Sequence, residues 1–425
     1  MYPNLYYALK DIFGLEISGL KLINTFGFFV ATAFIAAAWV LTSELKRKQG
    51  KGLLSYTEQK VSIGAPASTG ELLTNFLLGF LLGFKIIGAF TIPNALNDPQ
   101  GFILSANGNW LTGLLFGAFF AGLKWWEKNK QKLDKPEMRI IRIWPHDRVG
   151  DLVIYAAIFG FLGAKIFHNL ENWDDFIKDP INALISFSGL TFYGGLICAA
   201  LAIYFYTKKH NIPFIHLADA AAPALMLAYG IGRIGCQVAG DGDWGILNTA
   251  YISDGNGKLV EAQASQIPQI VNAYQGYFIN QFGSLDKIHQ LHVPAMKGLP
   301  TWFFAYNYPH NVINEGVAFA GCTDNFCRFL PIAVFPTPFY ETLMAGILFA
   351  LLWLLRNRIN IAGRMFGLYL MLNGIERFFI EKIRVNTKYS FLGIHPTQAE
   401  LISVGLFVGG LILFLLAPKL RVNKR

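Results

Sequence analysis

The chain has 425 residues, a formal net charge of +9 and four cysteines; 53% of its residues are apolar and only 15% are charged. Two or three soluble domains would fit that length, but apolar runs such as 26–40 and 401–416 are longer than a soluble core uses. The positive charge does not point to nucleic acid, because the lysines and arginines fall in short clusters between apolar blocks with no aromatic–basic repeat beside them. No cleavable leader is expected: residues 1–17 carry Lys10, Asp11 and Glu16 and lack both a basic start and a small-residue cleavage site.

A bilayer span needs about 20 mostly apolar residues. In chain order the candidates lie near 20–43, 72–93, 109–126, 150–168, 184–206, 217–237, 336–355, 364–384 and 398–417. The third is short, and the sixth is interrupted by Asp219, Pro223 and several glycines. Basic residues concentrate in 44–70 (Lys46, Arg47, Lys48, Lys51, Lys60), 127–149 (Lys128 to Arg148), 207–216, 356–364 and the tail with Arg421, Lys424 and Arg425. With about nine spans these segments all face one side, which the positive-inside rule makes the cytoplasm. The alternate loops agree, since 94–108 has no Lys or Arg and 169–183 is acidic.

The expected fold is therefore an all-α polytopic membrane protein, a single membrane domain over 1–425, with its N-terminus outside and its C-terminus cytoplasmic. The polar stretch 240–335 is too long for a connector and is expected to form an extracytoplasmic cap. In it, Cys322 and Cys327 could form a disulfide, whereas Cys198 and Cys236 lie in apolar surroundings as small fillers. No internal repeat is evident, which argues against a small-anion transporter.

Ionisable residues at membrane depth are costly and mark pairing or function. Asn373, Arg377, Glu381 and Arg384 are spaced by four, four and three, which puts them on one helical face. Arg377 and Glu381 are either an intrahelical pair that joins helices or a guanidinium held for a lipid phosphate. A second cluster runs from Tyr229 to Gly245 and sets Arg233 among glycines, including Gly235, just before Asp241 and Asp243. Two buried arginines, Arg233 and Arg377, repel unless an anion lies between them, and a phosphodiester is the natural anion in a bilayer. A third patch, Ser188 to Gly195, combines a glycine pair suited to helix packing with Tyr193. The fourth, Phe335 to Glu341, starts a span; Tyr340 suits an aromatic belt and Glu341 a helix N-terminus.

In this order, the patches resemble the prolipoprotein diacylglyceryl transferase family. Gly232-Arg233-Ile234-Gly235 with Gly240-Asp241 is similar to the family's Gly-Arg-Ile-Gly-Asn-Phe-x-Asn-Gly-Glu segment, and Asp219 and Pro223 fit its Asp and Pro on the same span. Pro336 to Glu341 resembles its Pro-x-Gln-x-Tyr-Glu, and Arg377, Glu381 and Arg384 its Arg-x-x-x-Glu-x-x-Arg helix. Gly163-Ala164-Lys165 resembles a Gly-Ala-Arg of an earlier span. The departures are Phe26 for a Tyr, Tyr193 for a His, Cys236 for an Asn, Asp241 or Asp243 for the Glu, and Phe335 for a His. Relative to the family's seven-helix core, 46–149 is an inserted region contributing about two helices.

The resemblance implies transfer of an sn-1,2-diacylglyceryl group from phosphatidylglycerol to a prolipoprotein cysteine in a bacterial cytoplasmic (inner) membrane. Arg233 and Arg377 would clamp the departing phosphate, with Gly235, Arg384, Tyr340 and Glu341 lining the headgroup site. Tyr193, or alternatively Asp241, would take the thiol proton. No metal or other cofactor is called for. A phospholipid-binding paralogue with another acceptor, or without catalysis, is the competing expectation.

Overall fold

A computed structural model describes residues 1–93, 95–96, 99–185, 189, 191–385 and 396–419. Ser188, Leu190 and the basic tail from Arg421 lie outside the described residues. Among the described residues the long helices are α1 (Thr25–Gly50), α2 (Thr69–Leu81, prolonged by a π turn Leu82–Ile87 and a 3-10 turn Gly88–Phe90), α3 (Trp110–Lys130), α4 (Val149–Glu171), α5 (Phe192–Lys209), α6 (Phe214–Ala239), α7 (Thr337–Leu355), α8 (Arg364–Glu381) and α9 (Gln398–Leu416). Among the described residues, six helical stretches are long and apolar enough to cross a membrane: Thr25–Gly50, Thr69–Phe90, Pro145–Glu171, Phe214–Ala239, Thr337–Leu355 and Gln398–Lys419. Charge is what sets α8 apart from these, since it carries Arg364, Glu376, Arg377 and Glu381.

Local chemistry explains where several helices begin. Ser68 and Glu71 form a capping box at the start of α2, and Thr397 and Glu400 do the same for α9. Asn109 accepts hydrogen bonds from the Leu111 and Thr112 amides and starts α3. At α8 the cap comes from another helix: the Asp219 carboxylate of α6 accepts from the Gly363 and Phe366 amides, both at 2.9 Å. Asp219, only 2% exposed, thus satisfies amides that would otherwise be orphaned at a helix start.

The chain forms two compact units. One comprises Met1–Gly14, Ile23–Glu44 and Ile215–Lys424; the other, Leu15–Leu22 and Leu45–Phe214. In the latter, strands β1 (Thr57–Ile63) and β2 (Glu137–Ile143) pair antiparallel from Thr57↔Ile143 to Ile63↔Glu137 and bracket α2 and α3. Small residues set the helix contacts there: the Thr112 hydroxyl of α3 donates to the Gly83 carbonyl at 2.8 Å. Between α4 and α5, a β-carbon on Gly163 would stand 2.5 Å from the Gly194 carbonyl oxygen, so the two backbones touch.

In the first unit α8 and α9 meet as closely, since a β-carbon on Gly410 would lie 2.6 Å from the Gly367 carbonyl oxygen. Helices are not the whole fold. Residues 240–335 contain a four-stranded sheet in which β3 (Leu247–Ser253) pairs with β4 (Leu259–Glu261) antiparallel, β5 (Gln290–Leu291) parallel and β8 (Ile332–Val334) antiparallel. A two-stranded pair, β6 (Val317–Ala318) and β7 (Arg328–Phe329), lies alongside in sequence. Trp244, Leu247, Ile252, Phe278, Tyr308, Leu330, Ile332 and Val334 form a core under this sheet, so the region folds around its own apolar centre. Cys322 and Cys327 are joined as a disulfide within it.

Candidate active site

Three chain segments converge on one cluster of charges. Arg233 projects from the last turns of α6, where Gly235 lets α1 approach: a β-carbon there would stand 3.0 Å from Phe29 Cβ and 3.4 Å from the Phe26 ring. Beyond Ala239 the chain turns at Gly240 (φ +66°) and Gly242 (φ +95°), conformations that side chains other than glycine's rarely allow. The turn brings Asp243 back onto Arg233. The next residues are fixed between two other helices: Gly245 N–H donates to the Phe335 carbonyl just before α7, and Ile246 N–H to the Ile383 carbonyl just after α8, both at 2.9 Å. The Thr337 hydroxyl donates to the Asp243 carbonyl at 2.8 Å.

Glu341 is the hub. It has no exposed surface, and its carboxylate pairs with Arg233 Nε, with Arg384 Nη1 at 3.2 Å and with Arg377 Nη1 at 3.8 Å. The Tyr229 hydroxyl lies 2.8 Å from the same carboxylate and 3.2 Å from Glu376 Oε1. Asp243 pairs with Arg233 Nη1 and, at 2.8 Å, with Arg384 Nη2. Arg377 meets Glu381 at 3.3 Å. Three guanidinium groups therefore face the three carboxylates of Asp243, Glu341 and Glu381, while Glu376, 4% exposed, adjoins them through Tyr229.

This geometry corrects two expectations. The anion between Arg233 and Arg377 is a protein carboxylate, Glu341, so their proximity does not by itself demand a lipid phosphate. Arg384 is not on the helical stripe with Arg377, because α8 ends at Glu381. It lies in the following turn, bridged to Gly245, and is ion-paired and 12% exposed rather than extended to an interface. Glu341, read as a helix-terminal charge, is the most engaged residue of all.

The remaining sequence candidates divide. Asp241 accepts from the Asp243 amide at 3.2 Å, and burial raises its pKa. Burial also works against the Asp243 carboxylate, but Arg233 and Arg384 outweigh it and hold its pKa at about 2. Cys236, Asp241 and Asp243 bring donor atoms within 4.8 Å of one another, yet Asp243 is already neutralised by two arginines and leaves little charge for a cation. Tyr340 turns from the cluster toward the polar region, its hydroxyl donating to the Phe303 carbonyl at 2.6 Å. Tyr193 belongs to the other unit, at the first turn of α5 and half-buried.

Glu376 escaped the sequence reading, and Tyr229, which opens the second patch, was given no role there. A trace was present: Tyr229 precedes Arg233 by one helical turn, and its ring lies 5.5 Å from the guanidinium carbon. Glu376 adjoins Arg377 in sequence, but its link to Tyr229 spans 147 residues and only the fold brings the two together.

Comparison with known proteins fits this arrangement. A prolipoprotein diacylglyceryl transferase family model matches residues 109–416, well over half of the chain. The chain belongs to that family of membrane transferases. It is 26% identical over 270 residues to the phosphatidylglycerol–prolipoprotein diacylglyceryl transferase of Staphylococcus haemolyticus, covering 63% of this chain and 73% of that protein. Against the enzyme of the same name from Xylella fastidiosa it is 25% identical over 326 residues, 75% of this chain and 92% of that protein. The enzyme so named from Corynebacterium glutamicum is 26% identical over 274 residues, 63% of this chain and 69% of that protein. The match begins at 109, so it takes in α3, β2 and the arginine cluster and leaves out α1 and α2.

Proposed function

We propose that this protein transfers an sn-1,2-diacylglyceryl group from phosphatidylglycerol to the lipobox cysteine thiol of a prolipoprotein. The thiol sulfur attacks the glycerol carbon that carries the phosphate. The carbon–sulfur bond forms, the carbon–oxygen bond breaks, and glycerol phosphate leaves with the thiol proton accounted for by a base or by the phosphate itself. The observation that carries this reading is the arginine cluster at the junction of α6, α7 and α8, in a chain of this family.

Arg377 is the arginine best placed to take a phosphate oxygen. It is 23% exposed and its two carboxylate contacts are the longest in the cluster, 3.3 and 3.8 Å, so donors remain for a ligand. Arg233 stabilises the charge that builds on the departing phosphate, Glu381 holds Arg377, and Glu341 sets the spacing of the arginines. Arg384 flanks the headgroup side, whereas Gly235 serves it by letting α1 approach and Tyr340, turned toward Phe303, borders it only through the start of α7. Tyr193 is the candidate for the thiol proton, with Asp241 the alternative; burial keeps Asp241 closer to the neutral range than an ordinary carboxylate.

The spans follow the nine-helix reading in the bacterial cytoplasmic membrane, with the N-terminus outside, the C-terminus cytoplasmic and residues 240–335 as an extracytoplasmic cap. Region 46–149 is read as a two-helix insertion on its β-ribbon, although the family match takes in its last part, 109–149. The partners are phosphatidylglycerol, the prolipoprotein and the bilayer.

The test is turnover by purified protein in phosphatidylglycerol vesicles with a lipobox peptide, the thioether detected by mass. Arg377→Ala should abolish the product in protein that still unfolds cooperatively, at a lowered midpoint because the buried Glu341 and Glu381 each lose a partner. No product from the parent with several anionic lipids would refute the transferase reading. A second reading, a phospholipid-binding paralogue with another acceptor, is favoured by one observation: Tyr193 and Cys236 stand where the family's His and Asn are expected. Lipid binding without thioether formation would select it.

A further inference from the structure

Residues 293–304 form a closed loop that exposes apolar side chains without being loosely held. One buried residue, Asn248 of β3, ties both ends: its side-chain amide donates to the Val293 carbonyl at 2.9 Å and to the Phe304 carbonyl at 3.1 Å, and its oxygen accepts from Val293 N–H at 3.0 Å. Ala295 N–H donates to the Tyr251 hydroxyl at 2.8 Å. A turn between Met296 and Leu299, through Gly298 at φ +91°, and a 3-10 turn at Thr301–Phe303 stiffen the rest. At its tip Met296, Leu299 and Trp302 are 64, 46 and 47% exposed. A fixed loop that presents three large apolar side chains, with Lys297 its one charge, loses free energy in water and gains it against an apolar medium.

The medium is indicated by what the loop touches. The Trp302 ring packs edge-on against Phe339 at 5.2 Å, and Phe303 packs against Phe339 and Tyr340 at 5.5 and 5.7 Å. Tyr340 closes the contact by donating to the Phe303 carbonyl. Phe339 and Tyr340 lie in the first turn of α7, a helix long and apolar enough to cross a membrane. The loop is thereby pinned at the level where that span leaves the hydrocarbon, and aromatic side chains are favoured there. We propose that the 293–304 loop inserts Met296, Leu299 and Trp302 into the adjacent leaflet of the bilayer, anchoring the polar region beside the mouth of the arginine cluster. Glu341 follows Tyr340 directly, so the anchor and the cluster hub share one turn of α7. The inference needs α7 as a span but does not depend on the transfer chemistry.

Depth-dependent quenching tests it. Parent protein and Trp302→Phe are reconstituted in phosphatidylethanolamine–phosphatidylglycerol vesicles, and the difference in their tryptophan emission isolates Trp302 among nine tryptophans. Expected is loss of most of that difference signal with lipids brominated near the headgroup end of the acyl chain, and little loss with aqueous iodide. Quenching by iodide and not by brominated lipid would overturn the proposal. So would a signal protected from both quenchers only at high protein density, which would mark a contact between copies. If Trp302→Phe misfolds, Leu299→Trp in the Trp302→Phe background carries the same two readings. Thioether formation is not measured, so failure of the transferase reading leaves the outcome interpretable.

Discussion

Replacing Glu341 by Gln should unbalance the cluster in a way that can be both measured and reversed. The substitution keeps the shape and removes one charge, leaving Arg233, Arg377 and Arg384 facing only Asp243 and Glu381. Because Glu341 is fully buried and the side chains of Arg233 and Arg384 are 15 and 12% exposed, solvent screens this loss poorly. Removing one partner of a buried ion pair costs roughly 3–5 kcal/mol, and the amide recovers part of it by accepting hydrogen bonds, so a net loss of about 3 kcal/mol is expected. At the size dependence known for large domains this lowers the unfolding midpoint by about 5 °C. The variant also gains one net positive charge, so an added anion should bind where the carboxylate was. Thermal unfolding in detergent, with and without inorganic phosphate, is the assay: the midpoint should fall, and phosphate should restore part of it in Glu341→Gln but not in the parent. An unchanged midpoint would refute the assignment of Glu341 as the shared counterion. A lowered midpoint indifferent to phosphate would refute the view that the arginines accept an exogenous oxyanion.

Asp219→Ala removes the cap of α8 and should lower stability by about 1–3 kcal/mol while folded protein keeps its turnover per molecule; lost turnover at unchanged stability would show a direct role instead. Gly410→Ala places a methyl 2.6 Å from the Gly367 carbonyl oxygen and should cost about 1–3 kcal/mol, whereas Gly409→Ala, with no atom within 4 Å, should leave unfolding nearly unchanged. The Asp243 carboxylate, held at about 2 against an unfolded value of ~3.9, contributes stability that is complete above the unfolded value and is lost as the pH falls through the folded one. The midpoint difference between parent and Asp243→Asn should accordingly be constant from neutral down to about pH 5 and shrink below about pH 4; a difference that varies near neutrality would contradict the ion-pair assignment.

How much of this was legible in the sequence depended on the range of the interactions. Apolar blocks marked the six described helices that are long and apolar enough to cross a membrane, because helix length and apolarity are local properties. The stripe of Asn373, Arg377 and Glu381 was equally local, fixed by the helical repeat. Arg384 broke the pattern because the helix stops three residues earlier, and helix ends are decided by contacts such as the Gly245–Arg384 bridge. Glu341 carries a charge whose partners lie on other helices, so position alone suggested a helix-end charge, and the partners that Asp219 caps at the start of α8 were hidden for the same reason. The sheet within 247–334 was missed because β3 gathers partners from distant parts of the region, which no window of alternating residues reveals.

The cap that Asp219 places on α8 also fixes one end of the α6–α8 pair. The bond ties α6 near its beginning to the beginning of α8, while Arg233 and Arg377 stand at the opposite ends, about 20 Å away along the helix axes. The far ends are tied too, by Tyr229 to Glu376 and by Glu341 between Arg233 and Arg377, so the two rods would swing about the cap only where those contacts are exchanged for a ligand. With that arm, a change of about 6° between the axes separates the arginines by about 2 Å, on the order of the difference between a direct ion pair and one admitting a phosphate oxygen. Pro223 interrupts α6 four residues from the pin, where a helix bends most readily. A capping carboxylate would then be the fulcrum of the pair of blades that hold the arginines.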